Sequence, residues 1–317
     1  MTAAYNLHRR PRASVHKPSA STSAGGCTQH KIVIATNAPI LGGDVGEDYL
    51  DVAMLTADRA TLSHHRVSLA GIGTPIAASL ARRIADAMRC ELRGAVSFVD
   101  SPRTPRDVDC SGERMILRND APRTRSIDAS LRELLRTTSN GAMRSLSMFP
   151  TPLASYFAGC AADLRCKPHL RAIAIEMFAS MVQIHRATKI TSLTGGTFTR
   201  FMLSGFAAFS ALDQLGARAF EAYPELQMRL WSGGITLPPK RFRGDALRAR
   251  QNICARLAEI VGVTSYHPPT TLDEADAAVL ALSAAASTAS GSLIELHCPP
   301  EGRFAVAFEA EKSTPRA

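Results

Sequence analysis

No run of about eighteen apolar residues occurs in the chain, so no segment reads as a membrane-spanning helix. The N-terminus lacks the apolar core of a secretory signal. It is Arg- and Ser-rich and free of acids, as transit peptides are, but Pro11 and Pro18 break any amphipathic helix there. There is no CxxC pair and no Cys/His spacing of the zinc type. The seven scattered cysteines (Cys27, Cys90, Cys110, Cys160, Cys166, Cys254, Cys298) fit buried thiols in a reducing cytoplasm, which is the expected location. No internal repeat, GxSxG elbow, P-loop or dinucleotide fingerprint is present, which disfavours serine- or cysteine-based hydrolysis. What remains is 45% hydrophobic and 21% charged, enough to bury a core and unlike a disordered chain or a fibre.

Charge is uneven. Residues 1–43 hold five of the 37 basic residues and none of the 28 acidic ones, so more than half of the +9 excess lies there. Such an arm either solubilises the chain or attracts phosphate backbones. Residues 1–30 read as a disordered basic tail and 310–317 as a disordered end, with one domain spanning 31–309.

Within the domain, Lys31–Thr36 is β-branched and apolar. Tyr49–Thr56 and Thr61–Leu69 follow around a short turn, which predicts an antiparallel opening. Ile76–Cys90 has helical spacing, and Ala95–Val99 is a short buried strand. The arginine-rich stretch from Arg103 has helical patterns at Ile127–Arg136, Leu170–His185 and Phe198–Leu215. It reads as a partly helical insertion over about 103–215. A strand at Ala219–Tyr223, helices at Asp245–Val261 and Leu272–Thr288, and a hairpin of Leu293–Leu296 with Phe304–Phe308 complete the chain. The order predicts an α/β fold, a mixed sheet covered by helices on both faces.

The chemical signal is the placement of acids. Asp44 lies in Gly42-Gly43-Asp44-Val45-Gly46, Asp100 follows a buried strand, and Glu221 lies at the end of the strand before Pro224. Asp273 and Asp276 share a helix face. Acids converging at strand ends repel one another unless a divalent cation neutralises them, and hard oxygen ligands suit Mg²⁺ or Mn²⁺. Such ions can activate water against a phosphodiester. Each acid also has a plainer role. Asp44 suits a glycine turn, Asp100 a turn or helix cap, and Thr271-Leu272-Asp273-Glu274 a capping box.

On these segments the chain resembles the ribonuclease H-like superfamily. Within it, the chain is similar to a prokaryotic family of predicted nucleases labelled domain of unknown function 429. The carrying segments are Gly43-Asp44-Val45-Gly46, Val99-Asp100-Ser101-Pro102, Phe220-Glu221-Ala222-Tyr223-Pro224-Glu225, Asp273-Glu274-Ala275-Asp276-Ala277 and Pro300-Glu301-Gly302. The resemblance implies a five-stranded mixed sheet, three antiparallel strands joined to two parallel ones, and an acidic metal site. Asp44 would bridge two ions, with Asp100 after the fourth strand, Glu221 after the fifth, and Asp276, joined by Asp273, on a helix.

Lys240, Arg241 and Arg243, with Phe242 among them and Arg248 and Arg250 following, form a basic cluster suited to a phosphate backbone or simply a solvated helix face. The leading expectation is a Mg²⁺- or Mn²⁺-dependent nuclease acting on DNA or RNA, with Asp44, Asp100, Glu221 and Asp276 catalytic. A non-catalytic nucleic-acid-binding protein of the same fold is the alternative. An ATP-handling actin-like or sugar-kinase-like relative would need a late glycine-rich phosphate segment, and Ser290-Gly291-Ser292 is too short for one.

Overall fold

A computed structural model describes residues 28–73, 75–101, 197–233, 237–290, 292–298 and 302–307. The tail 1–27, the end 308–317, most of the 103–215 region and its helical patterns at Ile127–Arg136 and Leu170–His185 lie outside the described residues. The architecture is α/β. Strands β2 (Ile40–Val45), β3 (Tyr49–Leu55) and β4 (Thr61–Ser68) form an antiparallel meander. On its other edge β2 pairs in parallel with β5 (Val96–Asp100), and β5 pairs in parallel with β6 (Arg218–Glu221). A two-residue strand, β7 (Ser265–Tyr266), pairs in parallel with β4. The six-stranded order is β6-β5-β2-β3-β4-β7, one strand more than expected. Two residues are too few to show an alternation, which is why β7 escapes sequence reading.

A second sheet joins β1 (Thr28–Lys31), β8 (Leu293–Cys298) and β9 (Gly302–Ala307), all antiparallel. A parallel bridge between Ala222 and Ala305 links it to the end of β6. The opening strand therefore lies at Thr28–Lys31 and not at Lys31–Thr36, and the tail reading of residues 28–30 is corrected with it. The reason is the partner's length. The ladder ends at Lys31 opposite Ile294, and Ile32 donates to Leu293 O at 3.0 Å. Beyond that point β8 has no residue to pair, so the apolar run continues as coil with Ile32 and Ile34 buried.

Helices α1 (Ile76–Met88) and α2 (Thr197–Gln214) cover one face. Their Leu80, Ile84, Phe206, Phe209 and Leu212 pack on Leu41, Val52 and Val99. The expected helix at Phe198–Leu215 thus exists, but it belongs to the core between β5 and β6 and is no part of an insertion. The other face carries α3 (Pro224–Trp231), α4 (Arg243–Val261) and α5 (Leu272–Ser290) over Ile40, Ala53, Leu55, Val96 and Phe98. Among the described residues no helix is long and apolar enough to cross a membrane.

Helix α5 starts from the expected capping box. Glu274 N–H donates to Thr271 Oγ1 at 3.1 Å, and Thr271 N–H donates back to Glu274 Oε2 at 3.3 Å. The helix lies between the sheet and its neighbours and is buried on all sides from Ala275 to Ala285, which suits its small, apolar sequence. Its backbone meets β2 at Gly42, where an added Cβ would stand 1.9 Å from Ala277 O. A methyl group at Gly43, on the other face, would meet only side chains at 3.5 Å and beyond.

Gly42→Ala is therefore expected to destabilise the chain at the upper end of the usual overpacking cost of about 1–3 kcal/mol, because backbone cannot rotate away. Gly43→Ala is expected to change stability by less than about 1 kcal/mol. Urea denaturation of both variants checks the contrast.

Candidate active site

Parallel pairing of β2 with β5 sets Asp44 beside Asp100 at the carboxyl ends of both strands. Alternation decides where they point. Ile40 and Gly42 face α5, so Asp44 does too, and Val96 and Phe98 carry Asp100 to the same side. Asp276, in the second turn of α5, is brought over them by the contact at Gly42 and is buried. Asp44, Asp100 and Asp276 thus form one carboxyl cluster, with Asp44 and Asp276 buried and Asp100 half-buried.

Two cations serve it. Lys240 Nζ lies 2.5 Å from Asp276 Oδ2, and its side chain is 52% exposed, so the stem runs in solvent while the ammonium enters the acids. Arg250 is 1% exposed. Its Nε donates to Asp276 Oδ1 at 3.3 Å, its Nη2 to Glu225 Oε2 at 3.1 Å and its Nη1 to Ala246 O at 3.2 Å.

Burial, with the charges of Asp276 and Asp100 added, lifts the Asp44 carboxyl well above the ordinary carboxylate range. Burial and Asp276 push Asp100 up to about 7, against the opposing pull of Lys240. Burial also raises Asp276, in spite of Lys240 and Arg250. For Lys240, burial acts downward, but Asp276, Asp44 and Asp100 together outweigh it and hold the ammonium above its usual value.

The remaining expected residues fall elsewhere. Glu221 is in register with Val99, and Phe220 stacks on Phe98 at 5.7 Å on the α5 side. Alternation therefore places Glu221 on the opposite face from Asp44 and Asp100, where it accepts a hydrogen bond from the Tyr223 hydroxyl. Its charge still raises Asp100. A period of two, which the sequence shows but does not orient, decides this. Asp273 is 56% exposed and lies 3.9 Å from Arg66, outside the buried cluster. Of the basic group, Arg241, Arg243 and Arg248 are exposed, with the Arg241 guanidinium 5.0 Å from the exposed Phe242 ring. Lys240 points into the acids and not outward as a phosphate contact.

Three residues were not read as partners of the acids: Asp51, Glu225, and Arg250, which was grouped with the basic cluster and is instead buried against Asp276. Asp51 stands directly across from Asp44 on β3 and takes two hydrogen bonds from Arg66, at 2.8 and 3.0 Å. Glu225 and Arg250 are 25 residues apart and share no local pattern. Arg250 did carry one signal, since it falls on the stripe of Ala246, Ile253, Cys254 and Leu257 that α4 buries. A charged residue on an apolar stripe asks for a buried partner.

The cluster offers only carboxylate oxygens, the donor type that hard divalent cations take. Among the described residues, however, no three His, Cys, Asp or Glu side chains are gathered as a ready metal centre. The neutralising charge beside the carboxyls is the Lys240 ammonium.

Arg250→Ala would leave Asp276 and the Lys240 ammonium without their buried brace. It is expected to cost about 3–5 kcal/mol in chemical denaturation, the usual penalty for breaking a buried ion pair. Asp100 gives a pH signature. Its folded value near 7 exceeds the unfolded value of about 3.9, so the folded chain holds the extra proton between these limits. Its contribution to stability is complete below about pH 4 and is lost as pH rises through about 7. A stability profile of metal-free protein should show that falling limb, and Asp100→Asn should reduce it, leaving the part due to Asp44 and Asp276. Comparison with known proteins supplies no roles to transfer: no family model, no curated protein and no solved structure matches the chain.

Proposed function

We propose that this chain is a ribonuclease H-like, divalent-metal-dependent nuclease that hydrolyses phosphodiester bonds. The observation that carries the reading is the cluster itself. Asp44 and Asp100 lie side by side at the ends of neighbouring parallel strands, with the buried Asp276 above them. The sheet plan supports the fold assignment, since β4, β3 and β2 are antiparallel and β5 and β6 extend β2 in parallel. In open α/β sheets the carboxyl ends of strands are where ligands gather.

Asp44, Asp100 and Asp276 would hold Mg²⁺ or Mn²⁺, with Asp273 near enough to add charge from the first turn of α5. The bound cation would supply the charge that activates water and stabilises the leaving oxygen. Arg250 fixes the Asp276 carboxylate from its buried seat. Arg241, Arg243 and Arg248 offer cations to a phosphate backbone beside the cluster, and the exposed Phe242 ring offers a stacking surface for a base. Glu221, across the strand, acts on Asp100 through charge rather than as a shared ligand.

A second reading, a nucleic-acid-binding protein without turnover, is favoured by one observation: Lys240 already neutralises the acids. Labelled single-stranded, duplex, branched and hybrid substrates, each incubated with Mg²⁺, Mn²⁺ or EDTA, separate the two. The nuclease reading expects metal-dependent cleavage that falls by about two orders of magnitude or more in Asp44→Asn and Asp276→Asn, as loss of charge stabilisation does elsewhere. Undiminished metal-dependent cleavage by Asp44→Asn would overturn it, and equal binding without cutting in all three proteins would establish the second reading. Arg243→Ala and Arg248→Ala should each weaken binding across sequences and reduce the salt slope by about one.

A further inference from the structure

We propose that Tyr49 and Phe242 are two stacking platforms flanking the carboxyl cluster, and that the nucleic acid they take is single-stranded. The inference rests on the nucleic-acid reading above and adds to it the form of the strand. Among the described residues four large hydrophobic side chains are exposed: Val33, Tyr49, Phe242 and Ile260. The two aromatic ones, 44% and 53% exposed, are built alike. Each lies beside an arginine, with the Arg66 guanidinium 5.2 Å from the Tyr49 ring centre and that of Arg241 5.0 Å from the Phe242 ring centre. A guanidinium over one face of a ring steadies it and leaves the other face to take a flat partner.

Both rings stand at the end of the sheet that carries the acids. Tyr49 is two residues before Asp51 on β3, so the two share a face, and Asp51 is directly across from Asp44. Arg66 joins Asp51 to this ring and lies 3.9 Å from Asp273, in the first turn of α5. Phe242 follows by two residues Lys240, whose ammonium contacts Asp276 in the second turn. The start of α5 therefore lies between the two rings. Charge sorts what a ligand must present at each of them. Around Phe242 the exposed Arg241, Arg243 and Arg248 suit phosphates. Around Tyr49, Arg66 is neutralised by Asp51, and Glu47, Asp48 and Asp273 are acidic neighbours, so an uncharged group belongs there. A strand with free bases meets both demands, setting phosphates on the arginines and a base against each ring. A duplex does not, because its bases are stacked on one another and its phosphates line the outside.

The test measures binding by the full chain, in EDTA and again with Ca²⁺. Fluorescence anisotropy is read with a labelled single-stranded DNA, a single-stranded RNA of the same sequence and the blunt DNA duplex. Stacking predicts single strands bound tighter than the duplex. It also predicts a loss of about tenfold for single strands in Tyr49→Ala and in Phe242→Ala, with duplex binding unchanged. Tyr49→Phe, which keeps the ring, should bind as wild type does, and so should Ile260→Ala, at the far end of α4. Thermal melting confirms folding. In wild type, ultraviolet cross-linking of a single strand, read by mass spectrometry, should mark Tyr49 and Phe242. That arm needs no variant and decides the matter if a substitution fails to fold. A loss confined to DNA or to RNA supports the platforms and names the substrate. Duplex bound as tightly as single strand, single-strand binding unchanged in either alanine variant, or cross-links at neither ring overturns the inference while leaving the nuclease reading to the cleavage assay. No binding of any oligonucleotide in either condition overturns both.

Discussion

The contact on which the site depends is the approach of α5 to β2 at Gly42. A side chain there would meet the carbonyl of Ala277, so only glycine lets the helix axis lie this close to the sheet. The helix contributes its own share through Ala277, Ala278 and Ala281, which are fully buried and small. Close packing of this kind gains many weak dispersion contacts and excludes water. Its chemical consequence is larger than its share of the core. Asp276 precedes Ala277 by one residue, so the same contact that seats the helix sets a carboxyl over Asp44 and Asp100.

Three carboxyls gathered together, two of them buried, would be unstable alone, and the surrounding chain answers with charge. Arg250 is a permanent answer, buried on α4 and shared with Glu225. Lys240 is the other, reaching Asp276 from a stem that runs in solvent. Asp51, the next acid across the sheet, is held separately by the two-point contact with Arg66. The face thus carries acids on β5, β2 and β3, with only those of β5 and β2 opening toward Asp276. This division leaves Asp276 as the acid that both Lys240 and Arg250 contact.

Much of the fold was legible because local patterns and tertiary demands agree. The spacing of Ile76, Leu80, Ile84 and Met88 marks the face that α1 buries, and the Thr271–Glu274 box marks where α5 begins. The strand-end position of Asp100 was legible for the same reason, since it follows a short buried run, whereas Asp44 was read in a glycine-flanked hairpin segment and lies within the strand Ile40–Val45. Where pattern and structure parted, the missing quantity was a partner. The β-branched run after Lys31 had no strand left to pair with, and the helix Thr197–Gln214 looked peripheral until its phenylalanines met Val99 and Leu41.

The sequence alone determined which side chains carry charge, which segments can become strands or helices, and that acids stand at several strand ends. These are local properties, set by side-chain chemistry and by the periods of the two backbone forms. Only the tertiary structure decided which acids meet. Register put Asp44 beside Asp100, pleat alternation turned Glu221 to the other face, and helix packing brought Asp276 in while leaving Asp273 at the surface. The same holds for the cations. Four basic residues near the start of α4 look alike in sequence, yet Lys240 enters the acids while Arg241, Arg243 and Arg248 stay in solvent. Direction in space is fixed by contacts between residues far apart in the chain, and composition and spacing hold no record of it.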